Sequence, residues 1–422
     1  MSSEPVTAPE PVPAPAEPGP APRTPHPLSV THFRNLWIGA TISLLGDQFY
    51  LVALPWLGLQ LTGSRVIMGT LLMVAAIPRA VLMLVGGAVT DRFSARRVLM
   101  ATAGARTLLV GGVAVLVWLG LLQVWELYAL GFLFGVADAF SFPAGPALMP
   151  TLVKPEQLQP ANALFQSSTV TTQTLGTFPA GWVISRWGAA SALFFDAVSF
   201  LGVIAALIKI PDPPKAPAQD RPSMLHSIAE GMRVVRHDPA LFAMMSLFAT
   251  INLCFSGPVY VGLLSLADAQ FKAKSAEVFG AWLFFLSAGM LIGILLGGMI
   301  KQPRKRGLQF IVVSLIGGVE LIGIGLIPRF VPIATLLALM GFAIGFVNVQ
   351  FSAWIQLRVE RAVLGRVMSV LMFAAVGLVP ISHGVAGVIA KWSIPALFIG
   401  AGALLALASA VALAGKGARD VD

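Results

Sequence analysis

The sequence predicts an all-α polytopic membrane protein with twelve transmembrane helices, divided into two pseudo-symmetric six-helix bundles. Three observations lead to this fold class: the composition, the number of long apolar segments and an internal repeat. Of the 422 residues, 57% are hydrophobic and 11% are charged, and the mean hydropathy is +0.83. A soluble domain carries about 25% charged residues. This chain therefore cannot cover a water-facing surface of normal size, and its solvent is lipid.

The apolar segments recur twelve times, each long enough to cross a hydrocarbon core that takes about 20 residues per helix. An even number of crossings places both termini on the same side of the membrane. We number the predicted spans 1 to 12 in chain order. They lie at 34–61, 66–89, 98–121, 126–150, 161–185, 189–210, 240–264, 277–300, 308–328, 331–355, 367–389 and 394–414.

The remaining segments divide the chain into five parts. Residues 1–32 are rich in Pro and Ala without hydrophobic periodicity, which predicts a disordered tail. They lack the apolar core of a cleaved signal peptide. Residues 33–210 hold the first six spans and residues 240–414 hold the last six. Between them lies the linker 211–239, and residues 415–422 form a short second tail.

The second part of the linker predicts an amphipathic helix. The spacing of Met224, Ile228, Met232 and Val235 puts these apolar side chains on one helical face, with Arg233 beside it. Such a helix typically lies on a membrane surface with its apolar face in the lipid. We therefore expect this helix to rest on the inner leaflet.

Lysine and arginine in the loops predict the orientation. Of the 28 such residues, 20 lie on the side of the termini, 6 lie on the other side, and Arg79 and Arg106 fall within spans. Loops rich in Lys and Arg stay in the cytoplasm. We therefore expect a multi-pass protein of the cell (inner) membrane with both termini cytoplasmic. A single cysteine, Cys254, lies in an apolar run, which excludes an intramolecular disulfide.

An internal repeat supports the division into two halves. The segment "GGAVTDRFSARR" after span 2 is echoed by "GGMIKQPRKR" after span 8, and "LVKPEQLQPANAL" after span 4 lies opposite "RVERAVLGRVMSV" after span 10. Two similar six-span halves are typical of secondary transporters, whose substrate site lies between the halves near the bilayer midplane.

The loop after span 2 resembles a signature of the major facilitator superfamily, with Ser94 where a glycine is usual. The resemblance implies that this loop is a conformational latch that holds the two halves together on the cytoplasmic side. A plain topology signal is the alternative. The matching residues are Gly87, Asp91, Arg92, Arg96 and Arg97.

Other segments are similar to the branch of this superfamily that includes enterobactin exporters and macrolide efflux proteins. They are "FRNLWIGATISLLGDQFYLVALPWLGLQLTGS", "FPAGPALMPTLVKPEQLQPANAL" and "GRVMSV". This resemblance implies efflux by alternating access. The family's helix-5 antiporter signature is only partial, because Gly176, Pro179 and Gly181 are present but the usual Gly-Pro pair is not.

Six ionisable residues fall inside spans, where each charge costs about 2.5–3.5 kcal/mol on insertion scales and so needs a partner or a function. By the resemblance, helices 1, 4, 7 and 10 line the central cavity. Asp47 and Asp138 are then the candidates for proton coupling or substrate contact. We expect Arg79 to pair with Asp47, and Arg106 either to pair with Asp138 or to reach the inner surface. The other two acids, Asp196 and Glu320, lie on supporting helices and favour a structural role.

Uncharged residues on the same helices are candidates for the cavity wall. Aromatic rings suit an apolar substrate, and amide groups supply hydrogen bonds; ordinary packing is the alternative for all of them. His383 in span 11 fits packing better than a proton relay. The candidates are Tyr50, Trp56, Phe140, Phe142, Asn252, Asn348, Gln350, Phe351 and Trp354.

The leading functional prediction is proton-coupled export of an amphipathic or hydrophobic small molecule, drug-like or siderophore-like, by a monomer without nucleic-acid partners. A lysophospholipid or other lipid flippase or uniporter is the alternative, followed by a non-transporting scaffold or sensor. The sequence shows no P-loop, metal-ligand cluster, G-x-S-x-G or nucleophile–histidine set. We therefore expect no enzymatic activity and no cofactor, with the proton gradient as the energy source.

The loop charges generate a labelling prediction. A cysteine placed at Arg65 or Lys272 should react with a membrane-impermeant reagent in intact cells, because both positions fall in outer loops. A cysteine at Arg96 or Arg306 should stay protected until the membrane is opened. The reverse pattern would overturn the orientation.

Overall fold

The computed structural model of the chain describes residues 26–212, 224–299 and 306–414, and the chain in these ranges contains helices and no β-strand. Twelve helical crossings, TM1 to TM12, form the two predicted bundles. They are Thr31–Thr62, Arg65–Arg92, Ala95–Trp118, Val124–Leu152, Leu158–Trp187, Ala189–Ile208, Pro239–Gly257 continued by Leu263–Phe271, Ser275–Met299, Arg306–Leu326, Phe330–Arg358, Arg361–Val376 continued by Val379–Trp392, and Ile394–Ala414.

The predicted edges mostly agree with these bounds, and two helices differ. TM7 runs on to Phe271 through a π-helical turn at Pro258–Gly262, because Pro258 cannot donate a regular helical hydrogen bond. TM11 begins at Arg361 and is interrupted after Val376. Ten apolar segments of the described chain are long enough to span a membrane. One of them contains both TM7 and TM8, and TM5 is too polar to be among them.

Two predictions about the segments outside the bundles need correction. Residues 1–25 lie outside the described chain, but Pro27–Ser29 form a 3-10 turn with Pro27 buried, and TM1 begins at Thr31. The end of the predicted tail is therefore structured. The linker helix is present at Met224–His237. However, Val235 is 1% exposed, so this part of its apolar face packs on protein and not on lipid.

The linker helix is attached to the beginning of TM11. Gly231 lies so close to the backbone of Arg366 that an added Cβ would collide with its carbonyl group. Arg366 Nε also lies 2.9 Å from Glu230 Oε2. At the beginning of TM7, Asp238 caps the helix and accepts two hydrogen bonds from Arg358, which hold the pKa of Asp238 below its ordinary value. The linker therefore meets the second bundle through several polar contacts.

Close helix packing inside each bundle depends on glycines. On TM8, Gly289 and Gly293 face the backbone of TM10, and on TM10, Gly341 and Gly345 face the backbone of TM8; a Cβ at any of these positions would collide with a carbonyl oxygen of the other helix. Small residues four apart allow such close approach in lipid, where helices have no hydrophobic drive to associate. In the first bundle, Gly135 gives the same contact between TM4 and TM2.

The two bundles meet most closely on the side away from the termini, which we call the opposite face. There TM5 packs on TM8 and TM2 packs on TM11, two contacts related by the pseudo-symmetry. Gly280 lies against the carbonyl of Thr177, and Gly69 lies against Gly387. Hydrogen bonds support the seal, from Gln60 Nε2 to Asp268 Oδ1 at 3.1 Å and from Arg65 Nη1 to the carbonyl of Ala390 at 3.2 Å.

A single substitution that adds a large side chain should open this seal between the bundles. Gly280→Leu should push TM8 away from TM5, at a cost of roughly 1–3 kcal/mol for overpacking, which shifts a two-state equilibrium about 5- to 150-fold. Spin labels at positions 64 and 393, on a Cys254→Ser background, should then report longer distances. Gly112→Leu is the matched control, because nothing lies within 4 Å of a Cβ there. An unchanged distance distribution for Gly280→Leu would rule out this contact as the seal.

Candidate functional site

A cluster of charged side chains occupies the interior of the first bundle, and Asp138 is at its centre. One carboxylate oxygen, Oδ1, accepts a hydrogen bond from Arg106 Nη2 at 2.5 Å, and the other, Oδ2, lies 3.0 Å from Arg79 Nε. Arg106 belongs to TM3 and Arg79 to TM2, so the carboxylate on TM4 joins three helices. Charge-assisted hydrogen bonds of this kind are about twice as strong as neutral ones.

Several groups besides Asp138 contact Arg106, although its Nε has no hydrogen-bond partner in the described part of the chain. Its Nη2 also donates to Ser141 Oγ at 2.9 Å, and its guanidinium carbon lies 4.6 Å from the ring centre of Phe134 and 5.6 Å from that of Phe200. Guanidinium groups bind the faces of aromatic rings through cation–π attraction. The residue is 7% exposed. Arg106 therefore pairs with Asp138 inside the bundle and does not reach the membrane surface.

Two further acids lie next to this pair without bonds of their own. Asp47 Oδ1 and both carboxylate oxygens of Asp196 are buried and have no hydrogen-bond partner in the described part of the chain. Asp47 is within electrostatic range of Arg106, Arg79 and Asp138. The carboxyl group of Asp196 lies against TM1, since a Cβ added at Gly46 would be 2.7 Å from its Oδ1.

The prediction that Arg79 pairs with Asp47 was wrong. It rested on the similar depth of the two residues in the membrane, but the Arg79 guanidinium bonds Asp138. The position of a residue along a helix predicts its depth in the membrane, but it does not predict towards which neighbouring helix the side chain points. The Arg79 side chain is 46% exposed and that of Asp138 is 23% exposed. In a helix at the centre of the membrane, exposed charges face water and not lipid, so we expect this pair to be in contact with water.

Several predicted cavity residues have other positions. Tyr50 is buried and stacks on Phe134, with ring centres 4.0 Å apart. Gln350 is buried and donates from Nε2 to the carbonyl of Gly297 on TM8 at 3.0 Å. Trp56 donates from Nε1 to Ser275 Oγ at 3.2 Å, a contact between the bundles. These three side chains hold helices together.

The remaining aromatic candidates divide between packing and surface. Phe140 packs on the apolar cluster at the inner end of the first bundle, whereas Phe142 is 46% exposed. In the second bundle Phe351 and Trp354 are buried and stacked, with ring centres 5.9 Å apart. His383 is also buried, and its Nε2 lies 2.9 Å from Ser256 Oγ, which fits the packing role expected of it.

Part of the cavity wall was missed from the sequence. TM5 exposes three amide side chains at Asn162, Gln166 and Gln173. The first two line an open cleft of about 420 Å³ between TM5 and TM4 that also includes Pro146 and Met149. Exposed amides do not face hydrocarbon, so this side of TM5 faces water. The signal was present in the sequence, because span 5 is the least apolar of the twelve.

In the second bundle, the predicted polar residues Asn252 and Asn348 line an interior cavity of about 210 Å³ together with Phe351. The same cavity contains Glu320, for which a structural role was expected. Asn252 donates from Nδ2 to the carbonyl of Phe248 on its own helix at 2.9 Å, whereas Asn348 is exposed.

Comparison with known proteins decides the family. A family model described as Major Facilitator Superfamily matches residues 36–382. The chain belongs to the Major Facilitator Superfamily. Macrolide efflux protein A of Streptococcus pyogenes is 25% identical over 344 residues, covering 80% of this chain and 84% of that protein. Multidrug efflux pump Tap of Mycolicibacterium fortuitum is 27% identical over 377 residues, covering 86% and 89%.

Solved structures agree with this fold. The crystal structure of the nucleoside transporter NupG matches with a TM-score of 0.67 at 11% identity, covering 90% of this chain and 98% of that one. A POT family transporter in complex with 5-aminolevulinic acid matches with a TM-score of 0.66 at 14% identity, covering 92% and 95%. At these identities the likeness concerns the fold alone, and it supports the twelve-helix arrangement of this superfamily member.

The loop after TM2, for which the sequence predicts a latch, lies partly outside the described residues. Gly87, Asp91 and Arg92 lie in the last turns of TM2, and the side chains of Asp91 and Arg92 are outside the described part of the structure. Arg96 and Arg97 bond Asp212, at the beginning of the linker after TM6, with N–O distances of 3.3 and 2.8 Å. The hydrogen bond from Arg97, followed by that from Ser94, holds the pKa of Asp212 below its ordinary value. Arg96 Nε also donates to the carbonyl of Leu207 at 2.9 Å, so in this conformation the two arginines contact TM6 and the beginning of the linker.

The two arginines of the cluster should differ in their effect on stability. Arg106→Gln removes the buried partner of Asp138, whose side chain is 23% exposed, and the loss is at most the roughly 3–5 kcal/mol of breaking a fully buried pair. Arg79→Gln removes a half-exposed partner, and exposed pairs contribute about 1 kcal/mol or less. Thermal unfolding of the purified protein should therefore show a much larger decrease in Tm for Arg106→Gln. Equal decreases would contradict the central position of Arg106.

Proposed function

We propose that the protein exports amphipathic or hydrophobic small molecules from the cell in exchange for protons. The names of its relatives, a macrolide efflux protein and a multidrug efflux pump, support export of such compounds. An uncharged or cationic apolar molecule is also the cargo that suits a wall with few charges, and the two exposed charges on it, Arg79 and Asp138, neutralise each other.

The observation that carries proton coupling is the balance of charge in the first bundle. Three carboxyl groups, those of Asp47, Asp138 and Asp196, share two guanidinium groups, those of Arg79 and Arg106. Buried charge without a partner is costly, so the cluster is neutral with one proton bound. Asp138 is engaged by both arginines, and Asp196 is 0% exposed. Asp47 is less deeply buried and has an unbonded oxygen, which favours it as the group that exchanges the proton.

The contacts between the bundles support alternating access. Hydrogen bonds and glycine contacts close the opposite face, while the cleft between TM4 and TM5 lies near the ends of these helices on the side of the termini. With the termini in the cytoplasm, as the loop charges favour, this conformation takes up cargo from the cytoplasm. Proton binding and cargo binding then compete for one cluster, which is the requirement for exchange.

Asp47→Asn tests the coupling. The amide keeps the shape of the carboxyl group but cannot bind and release a proton at neutral pH, and Arg79 keeps its partner Asp138. In proteoliposomes with an imposed pH gradient, the variant should lose accumulation of a lipophilic dye or a macrolide, yet still equilibrate it without a gradient. Glu156→Gln, at an exposed acid of a loop, should transport as the wild type does.

Two results would decide against this function. Gradient-driven export that persists in both Asp47→Asn and Asp138→Asn would show that neither acid couples transport to protons. Transfer of a labelled lysophospholipid between leaflets, with no movement of dyes or macrolides and no response to the pH gradient, would identify a lipid flippase.

A further inference from the structure

The interior of the second bundle contains a cavity at the position where the first bundle holds its charge cluster. In the first bundle the space between TM1, TM3, TM4 and TM6 holds the Arg106 guanidinium with its rings and carboxyl groups. The equivalent helices of the second bundle, TM7, TM9, TM10 and TM12, surround a cavity of about 210 Å³. The second bundle therefore keeps an acid in its interior but has no arginine beside it in the described residues.

The acid is Glu320 on TM9. It is 7% exposed, lines the cavity, and its Oε2 has no hydrogen-bond partner in the described part of the chain. A buried acceptor without a donor is costly, and an ionised one is more costly still. An occupant that brings a positively charged donor would remove this cost.

The side chains that line the cavity indicate which kind of hydrogen-bond donor could bind next to Glu320. Phe248 and Phe310 each stack with Phe351, with ring centres 5.5 and 4.9 Å from that of Phe351, and most other lining residues are aliphatic. The remaining polar groups of the cavity are Asn252, Asn348 and Ser314, and the Ser314 hydroxyl already donates to the carbonyl of Phe310 at 2.7 Å. A Ca²⁺ or Mg²⁺ ion would meet too few oxygen atoms, because these ions take about six or more. An ammonium group with an apolar body would match both the acid and the rings.

The geometry points to a binding site for a small hydrophobic amine inside the second bundle, with the ammonium group on Glu320 and the apolar part against the rings of Phe248, Phe310 and Phe351. The cavity is smaller than the roughly 300–1,000 Å³ of sites for drug-sized ligands. The occupant is therefore a single-ring or short-chain amine and not a macrolide. Exposed Asn348 marks where the cavity reaches the surface of TM10.

This site does not rest on the export proposal, since it is separate from the charge cluster of the first bundle and is tested by binding at equilibrium without a gradient. The probes are 4-phenylbutylamine and 4-phenylbutanol, which share the apolar body and differ in the charged donor. In calorimetric titration of the full-length protein in nanodiscs, the amine should bind about tenfold or more tightly than the alcohol, as expected for a hydrogen bond to a charged group.

Three variants locate the site. Glu320→Gln should abolish the preference for the amine, and it should fold because the wild-type carboxyl oxygen is already without a partner. Ala343→Leu keeps the acid but fills the cavity, and should weaken both probes. Glu156→Gln, at an exposed acid of the loop before TM5, should bind as the wild type does. Equal binding of the two probes to the wild type, or a preference for the amine that survives in Glu320→Gln, would overturn the proposal.

Discussion

The salt bridge between Arg106 and Asp138 is the interaction on which the first bundle depends. A guanidinium group in the middle of a membrane protein is costly unless a nearby carboxylate balances its charge. TM4 supplies the carboxylate, the Ser141 hydroxyl and the ring of Phe134, and TM6 supplies the ring of Phe200. Three helices are thereby fixed relative to one another around one charged group, and the nearby acids Asp47 and Asp196 take their electrostatic environment from it.

The same arrangement connects structure with function. Arg79 lies at the other oxygen of Asp138 and is half exposed, so the buried bridge continues into a partly exposed ion pair. A change of charge at Arg79 therefore acts directly on the pair that holds TM3 and TM4. The second bundle has no such bridge in its described residues. Its interior contains Glu320 and a cavity instead, so the two pseudo-symmetric halves share a fold but differ in what their interiors can bind.

Much of the fold could be predicted from the sequence, because lipid imposes simple rules. Twelve apolar segments of sufficient length, a polar interval between the sixth and seventh, and a repeat in the loops indicated the architecture that the structure shows. The π-helical turn of TM7 was missed, because Pro258 marks an irregular position without specifying its geometry. TM5 was located correctly, but its polar residues were not recognised as a water-facing wall.

The site was harder to predict, since periodicity gives depth and face only approximately. Asp47 and Arg79 lie at similar depth in the membrane, yet the Arg79 side chain points to Asp138 and pairs with it. Tyr50 and Gln350 lie on helices that line the cavity by family likeness, but they point to neighbouring helices. Glu320 was placed on a supporting helix, and the cavity beside it depends on the sizes of side chains from four helices, which no local pattern encodes.

The central claim is that cargo and proton compete for the cluster around Asp47, and proton release on binding tests it most directly. A macrolide or lipophilic dye that binds the purified protein is added in weakly buffered solution, and the pH is followed with an indicator. The account predicts proton release by the wild type and none by Asp47→Asn, at ligand concentrations that saturate both. Equal proton release by the two proteins, or binding by the wild type without any release, would contradict it.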